Sequence, residues 1–239
     1  MEKKEFQEKF QQKVQVHGIK LDEKQIDSFF VYMNLLLEWN QKMNLTAILD
    51  PDEIIVKHFL DSLTIEKYLK DGLKVIDIGT GAGFPGIPLA IYRQNVQFLL
   101  ADSLQKRILF LEEVKKQISL KNVELKHARA EDLGKDLNYR EQYDFAVSRA
   151  VAPLRTLLEY TVPFVKKDGY CICMKGSKGK EELKEATNSL RILGVKLEKE
   201  EEFLLGDTGN ERMIFLIKKE EKTLEKYPRK AGIPTKQPL

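Results

Sequence analysis

"KVIDIGTGAGFPGIPLA", Lys74 to Ala90, passes from a short apolar run into a cluster of glycines and then into an apolar helix start. A strand, a glycine turn and a helix in that order open a βαβ unit, with the turn facing any ligand at the strand's carboxyl end. Gly81, Gly83 and Gly86 fit G-x-G-x-x-G, and Asp102 follows at the ~20-residue distance where a dinucleotide enzyme holds ribose. A triphosphate loop is excluded, because no Gly-Lys-Ser/Thr follows the glycines. Asp77 separates the remaining readings. It ends the strand just before Gly79, in Asp-x-Gly-x-Gly-x-Gly. A carboxylate there repels pyrophosphate and welcomes a cation with an amino group and a sulfonium, which describes S-adenosyl-L-methionine. The competing role for Asp77 is a turn or helix-capping carboxylate, and for Asp102 a helix N-cap.

Downstream, "VQFLLAD", "VELKHA", "YDFAVSRA" and "GYCICMKG" read as strands alternating with helical stretches. The expected class is α/β, a doubly wound, Rossmann-like parallel sheet. "VKLEKEEEFLL" and "ERMIFLIKK" are joined by "GDTGN", with no room for a helix. That hairpin adds an antiparallel C-terminal strand, as in class I methyltransferases rather than dehydrogenases. Asp102 with Ser103 follows the second strand, and "AED" at Ala130–Asp132 follows the third, where an adenine edge would lie. Upstream, Phe6, Phe10 and Val14 recur at helical spacing. Asp22 caps a helix with Ile26, Phe29, Phe30, Met33, Leu36 and Leu37 on one face, and Asp50-Pro51 opens another through "IIVKHFLDSL". Residues 1–70 are expected to form an N-terminal helical cap on a 71–239 core, the two making one structural unit.

The chain has 239 residues, 42% of them hydrophobic and 32% charged, enough for one α/β domain with an appendage. A net charge of +3 does not mark a nucleic-acid binder, so an RNA surface has to come from local clustering. Cys171 and Cys173 share one face of an apolar run and read as buried strand residues rather than a disulfide or metal pair. With no metal set, no membrane-length apolar run and no signal-peptide core, the expectation is a cytoplasmic monomer without metal or membrane.

Several strings go beyond the fold: "NLTAI" (44–48), "KHFLDSL" (57–63), "DIGTGAGFPGIPLAI" (77–91), "LLADSLQKRILFL" (99–111), "ARAED" (128–132), "SRAVAPL" (148–154), "MKG" (174–176) and "YPRKAGIPTKQPL" (227–239). Together they resemble the RsmG (GidB) methyltransferases of bacterial small-subunit ribosomal RNA, from about residue 30 to the end. The resemblance implies methylation of guanine N7 in a decoding-region loop of 16S rRNA, with that RNA or the small subunit as partner. It also implies cofactor contacts at Gly79, Phe84, Ala130, Glu131 and Arg149. The residues themselves add Asp77, Gly81, Asp102 and Ser103 to the cofactor set.

The acceptor chemistry is compatible. Amine methylation uses a polar-Pro-Pro-aromatic turn after the fourth strand, where this chain has Ser148-Arg149-Ala150-Val151-Ala152. Pyrimidine C5 methylation needs a nucleophilic cysteine. Guanine N7 has a lone pair and no proton, so in-line attack needs no general base, and alignment supplies up to ~7–11 kcal/mol. Arg149 is the candidate orienting residue, through guanine O6 or through the cofactor. A salt bridge to Asp144 or another carboxylate is its competing role. His58 and Asp61 share a helix face and either line the pocket from the cap or serve structure. Lys175, Arg229, Lys230 and Lys236 are expected to form an RNA-binding rim, the last three on a proline-stiffened tail with no regular element. An ordinary solvated charge cluster is the alternative. For the whole chain, a cofactor-binding RNA or ribosome-assembly protein and a methyltransferase with another acceptor also remain open.

Overall fold

The computed structural model describes residues 1–239, the side chain of Asp207 excepted. Helix α1 (Lys3–Val16) buries Phe6, Phe10 and Val14. Helix α2 (Glu23–Met43) opens on a capping box: Asp22 accepts from the Gln25 amide at 2.7 Å, and Gln25 Oε1 accepts from the Asp22 amide at 3.0 Å. Asp50 caps α3 (Pro51–Ile54), after which the backbone widens into a π-helix over Ile55–Leu60 and resumes as α4 (Asp61–Leu63). Such π segments re-aim side chains and recur at functional sites. This one carries Lys57 and His58.

From residue 74 the order is β1 (Lys74–Ile78), α5 (Gly86–Tyr92), β2 (Gln97–Asp102), α6 (Gln105–Gln117), β3 (Val123–His127), α7 (Ala130–Leu133) and β4 (Tyr143–Arg149). Then come α8 (Leu154–Thr161), β5 (Val165–Lys175), α9 (Gly179–Glu185), α10 (Thr187–Ile192), β6 (Val195–Leu204) and β7 (Glu211–Lys219). The sheet runs β3-β2-β1-β4-β5-β7-β6; β1 to β5 are parallel, and β7 is antiparallel to both neighbours. The hairpin therefore does more than append an edge. Its second strand slots inward, burying Met213, Ile214, Phe215 and Ile217.

Alternation along the strands divides the core. Ile76, Ile78, Leu99, Ala101, Cys171 and Cys173 pack with α8 residues Leu154, Leu157 and Leu158. Val75, Phe98, Leu100 and Val147 pack on the other side with α5, α6 and the cap's Phe6, Phe10, Phe29 and Phe59, in one continuous cluster. Burial pushes the Cys171 thiol up to about 11 and the Cys173 thiol higher still, which leaves neither able to act as a nucleophile at neutral pH.

The tail departs from the expectation of no regular element. It folds back on the core and forms a short helix, α11 (Ile233–Lys236). Tertiary partners hold the backbone that leads into it: the Arg140 guanidinium donates to the carbonyls of Thr223, Leu224 and Tyr227 at 2.7–3.1 Å.

Candidate functional site

The glycine loop turns back over β2, with the amides of Gly79 and Thr80 donating to the Ala101 carbonyl at 2.9 and 3.1 Å. Asp77 shares the α5 face with Val75 and is fully buried beneath the loop. Its Oδ2 accepts from Thr80 Oγ1 (2.7 Å) and from the Gly86 amide (2.9 Å), while its Oδ1 has no partner among the described residues. The turn role therefore describes Asp77, and the cavity-facing role does not. Gly86 is required there, because a Cβ would stand 2.8 Å from both Asp77 Oδ2 and Leu100.

Burial raises the Asp77 carboxyl from 3.8 to about 7. The unfolded chain releases this proton well below pH 7 and the folded chain keeps it, so its contribution is present at low pH and lost as pH rises from 4 to 7. Asp77→Asn, which cannot ionise, should gain on the order of 2 kcal/mol relative to the unmodified protein between pH 5 and 8. Denaturant unfolding at the two pH values reads this directly; an unchanged difference contradicts it.

A cavity of about 180 Å³ opens at the carboxyl ends of β1, β2 and β3. Gly79, Asp102, Ser103, Ala130 and Glu131 all line it, as the sequence led one to expect, and Val151 and Tyr160 join them. Asp77, Gly81, Phe84 and Arg149 do not. Gly81 instead donates its amide to Asp102 Oδ2 at 2.9 Å. Asp102 also accepts from the Leu104 amide (2.9 Å) and Arg107 Nη1 (3.1 Å), so it braces the loop and the start of α6 while facing the cavity. The lining fits an adenosyl ligand. Gly79, at φ +69°, leaves bare backbone where a Cβ would meet Val151 Cγ2 at 2.6 Å. Ile78 and Val151 offer an apolar wall, and Asp102 and Glu131 offer acceptors for hydroxyl and amine donors.

A second cavity, about 690 Å³, lies between the cap and residues 149–153, and Val151 lines both. Arg149 belongs here. It donates to Asp61 Oδ2 (2.9 Å), the Lys57 carbonyl (3.0 Å) and His58 Nδ1 (3.1 Å). The salt-bridge role thus holds, to Asp61 rather than Asp144, because the π-helical turn hangs its polar face over the end of β4. Asp61 Oδ1 accepts from Arg212 Nε at 3.0 Å, so one nearly buried carboxylate joins two arginines. Phe84 packs against this pair: the His58 ring stacks on it at 4.3 Å, and the Arg149 guanidinium bonded to that ring lies 5.0 Å from the Phe84 centroid. That stacking keeps it off the first cavity.

The histidine's tautomer follows from its neighbours. Arg149 only donates, so His58 Nδ1 accepts, and Nε2–H donates to Thr46 Oγ1 at 2.8 Å. Burial and the Arg149 charge hold its pKa down to about 3, so the ring is neutral at physiological pH.

Two expected RNA contacts are spent internally. Lys175 is buried, bonded to Glu182 (2.7 Å) and to the Ala152 carbonyl (2.5 Å), where it fixes the loop at residues 150–153. Arg229 clamps the fully buried Glu159 through Nε and Nη2 at 2.6–3.1 Å. Lys230 and Lys236 stay exposed. Sequence reasoning missed Arg212, Val151 and Tyr160; their roles arise from contacts between distant segments and leave no local pattern.

Among the described residues, no group of three or more His, Cys, Asp or Glu is arranged to hold a metal, and no helix is long and apolar enough to cross a membrane.

The family described as rRNA small subunit methyltransferase G (GidB) matches residues 25–211. Ribosomal RNA small subunit methyltransferase G of Acetivibrio thermocellus is 52% identical over 223 residues, covering 93% of this chain and 92% of that protein. Its counterpart from Alkaliphilus metalliredigens is 47% identical over 224 residues, covering 93% and 94%. Among solved structures, a SAM-dependent methyltransferase from Aquifex aeolicus superposes with TM-score 0.53 at 20% identity, covering 70% of this chain and 93% of that one. The M. jannaschii TYW2 in complex with AdoMet gives 0.52 at 18% identity, covering 66% and 76%. These two share the fold.

Proposed function

As the chain belongs to the GidB family of small-subunit rRNA methyltransferases, we propose that it methylates N7 of a guanine in the decoding-region loop of 16S rRNA, with S-adenosyl-L-methionine as donor. One observation carries the acceptor assignment: Val151 lines both a small cavity suited to an adenosyl group and a larger one with two arginines in its wall. Donor and acceptor then meet across a single side chain.

The bound cofactor supplies an electrophilic sulfonium methyl. Ile78, Gly79, Asp102, Ala130 and Glu131 would hold it. The chain's own part is positioning, because guanine N7 brings a lone pair and no proton to remove. Neutral His58 fits that role: both ring nitrogens are committed to Arg149 and Thr46, so it serves as a strut and not as a base. Arg149 and Arg212 carry the donors that match the O6 edge of guanine. Their charges do not help the cationic N7-methyl product, so their contribution is orientation. The remaining parts of the reading are a cytoplasmic monomer, no metal, and RNA backbone contacts from exposed Lys230 and Lys236.

Arg149→Ala should lower kcat about thirtyfold and leave affinity for S-adenosylhomocysteine within a few fold, since Arg149 lines the acceptor side. A large loss of cofactor affinity with unchanged turnover would sink the orienting role. The function itself is tested with labelled S-adenosylmethionine and small subunits, or free rRNA, from cells lacking this protein. Borohydride and aniline cleavage should report 7-methylguanosine at one site. No incorporation would favour a binding or assembly protein; label elsewhere would favour another acceptor.

A further inference from the structure

We propose that residues 227–239 are a strap that completes the donor cavity by holding Glu131 and Tyr160 in place, a role that rests on the cofactor reading above. Both residues line the cavity, and both are tied to the tail rather than to the core beneath them. Glu131 is 6% exposed, and its Oε1 accepts from the Gly232 amide at 2.9 Å. Among the described residues its Oε2 makes no hydrogen bond, which leaves that oxygen to a ligand. Gly232 presents its amide from a left-handed backbone, φ +83°. Tyr160, on α8, pairs its hydroxyl with Thr235 Oγ1 at 2.9 Å.

The strap is pinned on each side of these contacts. Ahead of them, Arg229 grips Glu159, whose Oε1 also accepts the Arg229 amide at 2.8 Å. Between them, Thr156 Oγ1 donates to the Pro234 carbonyl at 3.3 Å, and beyond them Ser189 Oγ donates to the Leu239 carbonyl at 3.0 Å. An arm built only to track phosphates has no reason to commit its arginine to a buried glutamate. A wall does. Without the strap, Glu131 and Tyr160 regain rotamer freedom, and a ligand that needs them ordered must offset that freedom on binding.

Calorimetry with S-adenosylhomocysteine tests this on the full chain, on Thr235→Val, on Tyr160→Phe, on the double variant and on a chain ending at Arg229. Each point variant should weaken binding about three- to tenfold, the span of one hydrogen bond, and lower the melting temperature by no more than a few degrees. The double variant should be no worse than either single, because both remove the same bond. Ending the chain at Arg229 should cost tenfold or more; if that chain does not melt cooperatively, the double-variant comparison decides alone. KM for S-adenosylmethionine should rise in Thr235→Val, while kcat and the salt dependence of RNA binding stay put. Wild-type affinity in both point variants, or additive losses, overturns the strap. Failure of the unmodified chain to bind overturns the cofactor reading, and the strap with it.

Discussion

Asp61→Ala is expected to lower kcat/KM by a hundredfold or more and to destabilise the fold by ~3 kcal/mol, the cost of stripping one partner from a buried ion pair. Asp61 is 2% exposed and holds two guanidiniums at once, Arg149 at 2.9 Å and Arg212 at 3.0 Å. Alanine leaves two like charges side by side, with side chains only 14% and 23% exposed. They must separate, and either movement loosens the wall of the acceptor cavity. Misplacement by ~1 Å is enough for a hundredfold loss in a reaction that depends on alignment. Binding of S-adenosylhomocysteine should change little, because Asp61 does not line the donor cavity. Equal losses in cofactor binding and turnover would point instead to a general collapse of the cap, and a variant with near-normal turnover would remove the two-arginine wall from the mechanism.

The second large effect is on the donor side. Gly79→Ala should weaken S-adenosylhomocysteine binding about a hundredfold, by two separable causes. The residue sits at φ +69°, where an L side chain costs ~1–2 kcal/mol. Its new Cβ would also fall 2.6 Å from Val151 Cγ2 and 3.2 Å from Cγ1. In the free variant the loop relaxes away from both conflicts, so binding has to restore the strained form. Adding Val151→Ala removes the overlap but not the left-handed backbone, and should recover about tenfold. If Gly79→Ala binds normally, the loop does not cradle the ligand. If the double variant recovers nothing, Val151 is not the partition between the cavities.

Much of this architecture could be read in the chain. Strand–helix alternation follows from apolar periodicity, and the hairpin follows from two strand-like runs too close to hold a helix. The same sequence order fixes where a ligand sits, since parallel strands present their loops at their carboxyl ends. For that reason Gly79, Asp102, Ser103, Ala130 and Glu131 converge as expected. Asp77 shows the limit of such reasoning. Its position in the motif is right, but strand alternation turns its carboxyl under the loop, where burial brings it to about 7 and it ties Thr80 to Gly86.

Charge was the least legible property. Lys175, Arg229, Lys230 and Lys236 look alike in sequence, yet two are committed to Glu182 and Glu159 and two stand in solvent. The pairing of Arg149 with Asp61 spans 88 residues and that of Arg212 with Asp61 spans 151. No local pattern encodes either one. By itself, the sequence determined the sheet, the glycine turn and the line of strand ends, because hydrophobic period and chain connectivity act over a few residues. Only the tertiary structure decided which charges face each other, that the cap closes one cavity and that the tail bonds Glu131 and Tyr160 in the lining of the other. Those outcomes depend on how whole layers pack, and a buried charge takes whichever partner the packing brings within reach.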